Sequence, residues 1–97
     1  MIALQCVPKR SERTASRLVN GEAVVVSPEE GIVRILDEIG SRVWALMDGN
    51  ISVLDISKII AGEYNAFRDE VERDVAEFIL ELESKGMVVL IDGRAQA

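Results

Sequence analysis

The sequence predicts an α+β fold: a three-stranded antiparallel sheet near the N-terminus, then three helices, then one short C-terminal strand. Three observations predict it. Asn20-Gly21 separates two runs of strand-forming residues, and both tolerate the positive φ that a two-residue type I′ hairpin demands. Beyond Asp37 the apolar residues change from the strand period to the helical one. Near the other end Gly86 closes the last helical stripe and releases the apolar run Met87-Val88-Val89-Leu90-Ile91.

The elements follow in order. The first strand is expected near Ala15–Val19 and the second near Glu22–Ser27, where Val24, Val25 and Val26 in succession mark a central strand. Pro28-Glu29-Glu30-Gly31 reads as a type I turn with proline second and glycine fourth, so a third strand, Ile32–Leu36, returns antiparallel. Asp37 is placed to cap a first helix whose apolar face is Ile39, Val43, Leu46 and Met47, with Trp44 beside them and Gly49 as its end. Ser52 caps the second helix, Asp55 stands three residues on as a capping-box partner, and Ile51 is placed to staple onto Ile56. Its buried face is Ile56, Ile59 and Ile60, and Gly62 breaks it. The third helix is expected from Arg68 to Lys85, with Val71, Val75, Phe78, Ile79 and Leu82 on one side.

Length and composition set the frame. With 97 residues, 48% of them hydrophobic and only two prolines, the chain suits one packed domain. The domain is expected over residues 13–92, between an arm (residues 1–12) that stays loose until something pairs with it and a disordered tail (residues 93–97). Cys6 is the single cysteine, which excludes an intrachain disulfide and fits a reducing compartment. Met1–Val7 is too short for a signal segment, and no apolar run approaches the ~18 residues that span a bilayer. The expected location is therefore cytoplasmic, without membrane contact.

A net charge of −6 opposes binding to nucleic acid. The basic stretch Lys9, Arg10, Arg13 and Arg17 has no interleaved aromatics and reads as solvated. Histidine is absent, which removes the commonest general base and the commonest transition-metal ligand. No nucleophile elbow, phosphate loop or dinucleotide fingerprint occurs. No catalytic residue, metal site or cofactor is expected.

Two features could carry binding. Glu70, Asp74, Glu77 and Glu81 line one flank of the third helix, either as a solvated face or as an electrostatic guide for a basic peptide. Asp69 with Arg73, and Glu81 with Lys85, are spaced to moderate their repulsion. The third strand is the second feature. In a meander the first and third strands are edges; Ser16 and Arg17 blunt the first, whereas Ile32-Val33-Arg34-Ile35-Leu36 has one charged residue. Either another part of the chain covers that edge, for instance Val88–Ile91, or a partner adds a strand to it.

In order and spacing, several segments resemble the PqqD family of peptide-recognition elements. They are Gly21–Val26 before Pro28–Gly31, Leu36-Asp37-Glu38-Ile39-Gly40 leading to Val43-Trp44 and Asp48-Gly49, then Val53–Ile60, Tyr64, Asp74-Val75, Phe78-Ile79, Leu82 and Gly86-Met87-Val88. The resemblance implies a winged-helix-like fold and a leader peptide bound as an extra strand against the third strand and the third helix. It names Ile32, Val33, Arg34, Ile35 and Leu36 on the strand side, and Val71, Asp74, Val75, Phe78 and Leu82 on the helix side. It makes Trp44 and Gly40 structural. It also implies a partner, a radical S-adenosylmethionine (radical SAM) maturase that does the chemistry, as in pyrroloquinoline quinone biosynthesis. Asp37 stands where many relatives carry asparagine.

Two other readings stay open at this point. One is a winged-helix regulatory or DNA-associated module, which the acidic third helix disfavours. The other is a structural homodimer in which each chain covers the other's edge.

Overall fold

Hairpin chemistry organises the first half of the chain. In the computed structural model, which describes residues 3–91, Asn20 and Gly21 take φ of 54° and 82°, the left-handed pair that a type I′ turn needs. The elements are β1 (Val7–Arg10), β2 (Ala15–Val19), β3 (Glu22–Ser27), β4 (Ile32–Ile35), α1 (Glu38–Leu46), α2 (Val53–Glu63), α3 (Arg68–Ser84) and β5 (Val88–Ile91). The strands form two antiparallel sheets, β2-β3-β4 and β1-β5. The expected tail and the boundary at Asp92 lie outside the described residues, as do Met1 and Ile2.

The three-stranded sheet is present with β3 central, and β4 is the strand expected third. It is not the N-terminal element, because β1 precedes it. The turn before β4 closes from the Gly31 N–H to the Pro28 carbonyl at 3.3 Å, so Pro28 is its first residue and not its second. Ala23, Val25 and Ser27 face the helices and are buried. On the opposite face Val33 and Ile35 stay largely exposed.

The N-terminal arm differs most from expectation. Its residues 7–10 are not loose: they pair with Val88–Ile91, from Val7 opposite Ile91 to Arg10 opposite Val88. The free strand partner that the arm awaits is thus supplied by the chain itself. The same segment shortens α1. The Gly49 N–H donates to the Pro8 carbonyl at 3.1 Å and the Arg10 N–H to the Met47 carbonyl at 3.1 Å, so residues 47–49 run beside β1 and the helix ends at Leu46, before Gly49. Arg10 also donates from Nη1 to the Trp44 and Ala45 carbonyls at 2.8 and 2.9 Å. A cation on the last carbonyls of α1 complements its dipole.

Local chemistry sets the other helix ends. Asp37 accepts from the Gly40 N–H at 2.7 Å, and Ser52 accepts from the Asp55 N–H at 3.1 Å. Gly62 does not break α2, which continues to Glu63; Asn65, at φ 50°, makes the left-handed exit instead. Upstream, the Cys6 and Leu4 carbonyls accept the Val53 and Leu54 N–H groups, each at 2.9 Å, which satisfies two donors of the first turn. On α3 the ion pairs are Arg68 with Glu72 at 2.9 Å and Lys85 with Glu81 at 3.3 Å. The expected Asp69–Arg73 pair is not among those formed.

The core lies where α1, α2 and α3 meet the inner face of β3 and the start of β5. Met47, Ile56, Ile79, Leu82 and Met87 are fully buried there. Truncating one of them costs about 2–5 kcal/mol, since the lost transfer energy adds to an unfilled cavity. Trp44 is buried as expected, and its indole N–H donates to Ser16 Oγ at 3.1 Å. Arg42 and Glu63 tie α1 to α2 through a two-pronged ion pair at 2.7–3.2 Å. The Arg42 guanidinium, by hydrogen bonding, holds the Glu63 carboxyl below the usual carboxylate range.

Candidate functional site

The outer edge of β4 is open among the described residues. Val88–Ile91, the instance of an internal cover that the sequence offers, is occupied by β1. The backbone pattern then decides which groups the edge offers. The Leu36 N–H donates to the Ala23 carbonyl at 2.9 Å, so the pair Leu36 and Ala23 is a bonded one. Bonded and non-bonded pairs alternate in an antiparallel ladder, so Arg34 and Ile32 also bond toward β3. Val33 and Ile35 therefore turn their N–H and C=O groups away from the sheet.

Beside this edge lies a groove of about 420 Å³. One wall is Arg34, Ile35 and Leu36 of β4, the other Asp74, Val75 and Phe78 of α3. Ile39, Gly40 and Val43 of α1 make the floor, with Asp37, the cap of that helix, beside them. Most of the lining is apolar, with Arg34, Asp37 and Asp74 as its charged members. Arg34 reaches across to Glu81 with Nη2 2.7 Å from Oε1, while Glu81 Oε2 accepts from Lys85. This ion pair clips β4 to α3 at one end of the groove and neutralises the cation, leaving Asp37 and Asp74 to set a negative sign at the other end.

Gly40 gives the floor its depth. A methyl group there would stand 3.3 Å from Phe78 Cζ and 3.1 Å from Asp37 Oδ1, closer than such contacts normally come. Ser41, the next residue, holds the floor to the sheet. Its buried hydroxyl accepts the Ala23 N–H at 2.7 Å and donates to the Leu36 carbonyl at 3.2 Å.

Of the residues singled out in the sequence, Arg34, Ile35, Leu36, Asp74, Val75 and Phe78 come together around the groove. Val33 contributes outward backbone, while its side chain joins that of Ile35 on the exposed sheet face. Ile32 is half-buried against the core. Val71 and Leu82 are core residues outside the lining, with Leu82 completely inaccessible. Phe78 leaves the α3 stripe, whose other members are buried, and turns toward the groove. Sequence reasoning missed Asp37, Ile39, Gly40 and Val43 as groove residues. It placed Ile39 on the core face of α1, and the signal that could have found it is the single glycine following it, which opens the helix surface at that level.

Comparison with known proteins places these features in context. The family described as Coenzyme PQQ synthesis protein D (PqqD) matches residues 22–88. No curated protein sequence matches. Among solved structures, TbiB1 in complex with the TbiA(beta) leader peptide is 31% identical, with a TM-score of 0.77 over 82% of this chain and 93% of that one. Lasso peptide synthetase B1 complexed with its leader peptide is 18% identical, with a TM-score of 0.77 over 86% of this chain and 98% of that one. The PqqD truncation of Methylobacterium extorquens PqqCD, a stand-alone recognition element for ribosomally synthesised and post-translationally modified peptides, is 24% identical, with a TM-score of 0.68 over 86% and 88%.

Proposed function

The chain belongs to the PqqD family, and from that premise we propose that it is a non-catalytic peptide chaperone that binds the leader of a ribosomally made precursor peptide. The leader adds a strand to β4, taking hydrogen bonds from the outward backbone of Val33 and Ile35 and setting alternate side chains into the groove. Arg34, Leu36, Asp74, Val75 and Phe78 meet those side chains, together with Ile39 and Gly40. The observation that carries the reading is the coincidence of an open strand edge with an apolar groove along it. The leader complexes of TbiB1 and lasso peptide synthetase B1 support it.

The bound leader is presented to a radical SAM enzyme that performs the modification, as in pyrroloquinoline quinone biosynthesis. The family's description supports the link to coenzyme PQQ synthesis, and the radical SAM partner rests on the resemblance of the sequence. We read the helices beside the sheets as winged-helix-like, but α3 does not suit DNA. A DNA-reading helix needs outward arginine and lysine, and α3 exposes Glu70, Asp74 and Glu77.

The test is fluorescence anisotropy with labelled leader peptides, the TbiA(beta) leader of the 31% identical TbiB1 among them. Saturable binding in the low-micromolar range or tighter, lost with a scrambled leader, supports the proposal. Equal binding of both peptides, or none, refutes it.

A further inference from the structure

The sheet β2-β3-β4 has a second edge, and it repeats the arrangement of the first with the opposite charge. Ala23, Val25 and Ser27 direct their backbone toward β4, so Glu22, Val24 and Val26 bond to Val19, Arg17 and Ala15 of β2. Ser16 and Leu18 are then the residues of β2 whose N–H and C=O groups point outward. Among the described residues nothing pairs with them, and every residue of β2 is exposed.

A second cavity, of about 380 Å³, lies along this edge, between β2 and the C-terminal half of α1. Leu18 and Trp44 give it apolar surface and Arg10 gives it positive charge, no carboxylate lines it, and Arg17 borders it from the strand edge, on the outer face with Val24 opposite. Leu18 is 69% exposed although its side chain is on the helix-facing side of the sheet, where Val25 and Ala23 are buried. Arg17 makes no ion pair among the described residues. Arg10 is held in place by its bonds to the α1 carbonyls, which leaves a fixed guanidinium at the cavity. On a chain of net charge −6 this is a local reversal of sign.

We propose that the β2 edge is a second strand-addition site, which takes an extended acidic segment of a partner protein. Its backbone pairs with Ser16 and Leu18, and its alternate side chains divide between the two faces, the apolar ones packing on Leu18 and Trp44 and the carboxylates meeting Arg17 on the other. An acidic segment is disfavoured on the β4 side by Asp37 and Asp74, just as a basic one is disfavoured here. The two edges of one sheet thereby sort two strands by charge, and a partner joined at β2 leaves the β4 groove free. The site is independent of what occupies β4.

The experiment titrates the full-length, isotope-labelled protein with a short peptide alternating valine with glutamate, followed by amide NMR and hydrogen exchange. Controls are the lysine counterpart of that peptide and a short oligothymidylate. The expected result is shifted and slowed exchange at Ser16 and Leu18 with the glutamate peptide alone, weakened severalfold by Arg17→Glu and by raised salt. Leu18→Pro, which removes one outward N–H, abolishes it. The proposal is overturned if the glutamate peptide leaves Ser16 and Leu18 unchanged, if it acts instead at Val33 and Ile35, or if either control matches it. The leader titration on the same sample reports separately on the β4 site.

Discussion

The Ser41 hydroxyl takes the place of a strand-to-strand hydrogen bond at the end of the β3–β4 ladder. It accepts the Ala23 N–H at 2.7 Å, and it passes the interaction on to the Leu36 carbonyl at 3.2 Å. The helix that floors the groove is thus fastened to the strand that walls it. Ser41→Ala leaves a buried N–H and a buried C=O without this partner, a loss of about 1–3 kcal/mol. Denaturant unfolding checks this, and an unchanged midpoint contradicts it.

Gly40 separates stability from binding. Alanine raises helix propensity by about 1 kcal/mol over glycine, but its methyl crowds Phe78 and the Asp37 oxygen that caps α1. The two effects oppose each other, so Gly40→Ala is expected to shift stability by less than about 1 kcal/mol. Leader affinity falls severalfold because the groove floor rises. Thermal melts and anisotropy on the same variant measure the two separately.

Proline substitution reads the two sides of β4. Val33 turns its N–H outward, so Val33→Pro keeps the bonds to β3 and weakens leader binding. Arg34 bonds toward β3, and Arg34→Pro removes a ladder bond while also undoing the ion pair to Glu81. The expected outcome is a folded, binding-impaired Val33→Pro protein and a destabilised Arg34→Pro protein. Circular dichroism and the leader titration distinguish them.

The Arg42–Glu63 pair sets a pH response away from the groove. Glu63 titrates below the usual carboxylate range because Arg42 hydrogen-bonds its ionised form. A lowered folded-state pKa contributes stability above the unfolded value, and that contribution is lost as pH falls through the folded one. Carboxyl NMR should place the Glu63 midpoint below that of a free glutamate, returning to it in Arg42→Ala. Leader binding at neutral pH should be unaffected by that variant.

What was legible in the sequence is local. The Asn20-Gly21 hairpin and the Asp37 and Ser52 caps depend on residues within a few positions of one another, and residue type alone specifies them. The pairing of Val7–Arg10 with Val88–Ile91 joins the two ends of the chain. A four-residue strand carrying Pro8, Lys9 and Arg10 has no alternation to announce it. Arg10 on the Trp44 and Ala45 carbonyls is likewise a distant contact, so it read as one more solvated charge. The groove was half legible. Its strand wall followed from the edge argument, but helical periodicity could not tell Phe78, turned outward, from Val75 and Ile79 beside it. Nor could it show that Ile39 and Gly40 face the same opening.

The most direct test of the account is amide hydrogen exchange at β4 with and without the leader. In the free protein Val33 and Ile35 should exchange fast while Arg34 and Leu36, bonded to β3, exchange slowly. Saturating leader should slow Val33 and Ile35 and leave the alternation with Arg34 and Leu36 erased. If Val33 and Ile35 still exchange fast in the complex while protection arises on another surface, the leader does not add a strand to β4.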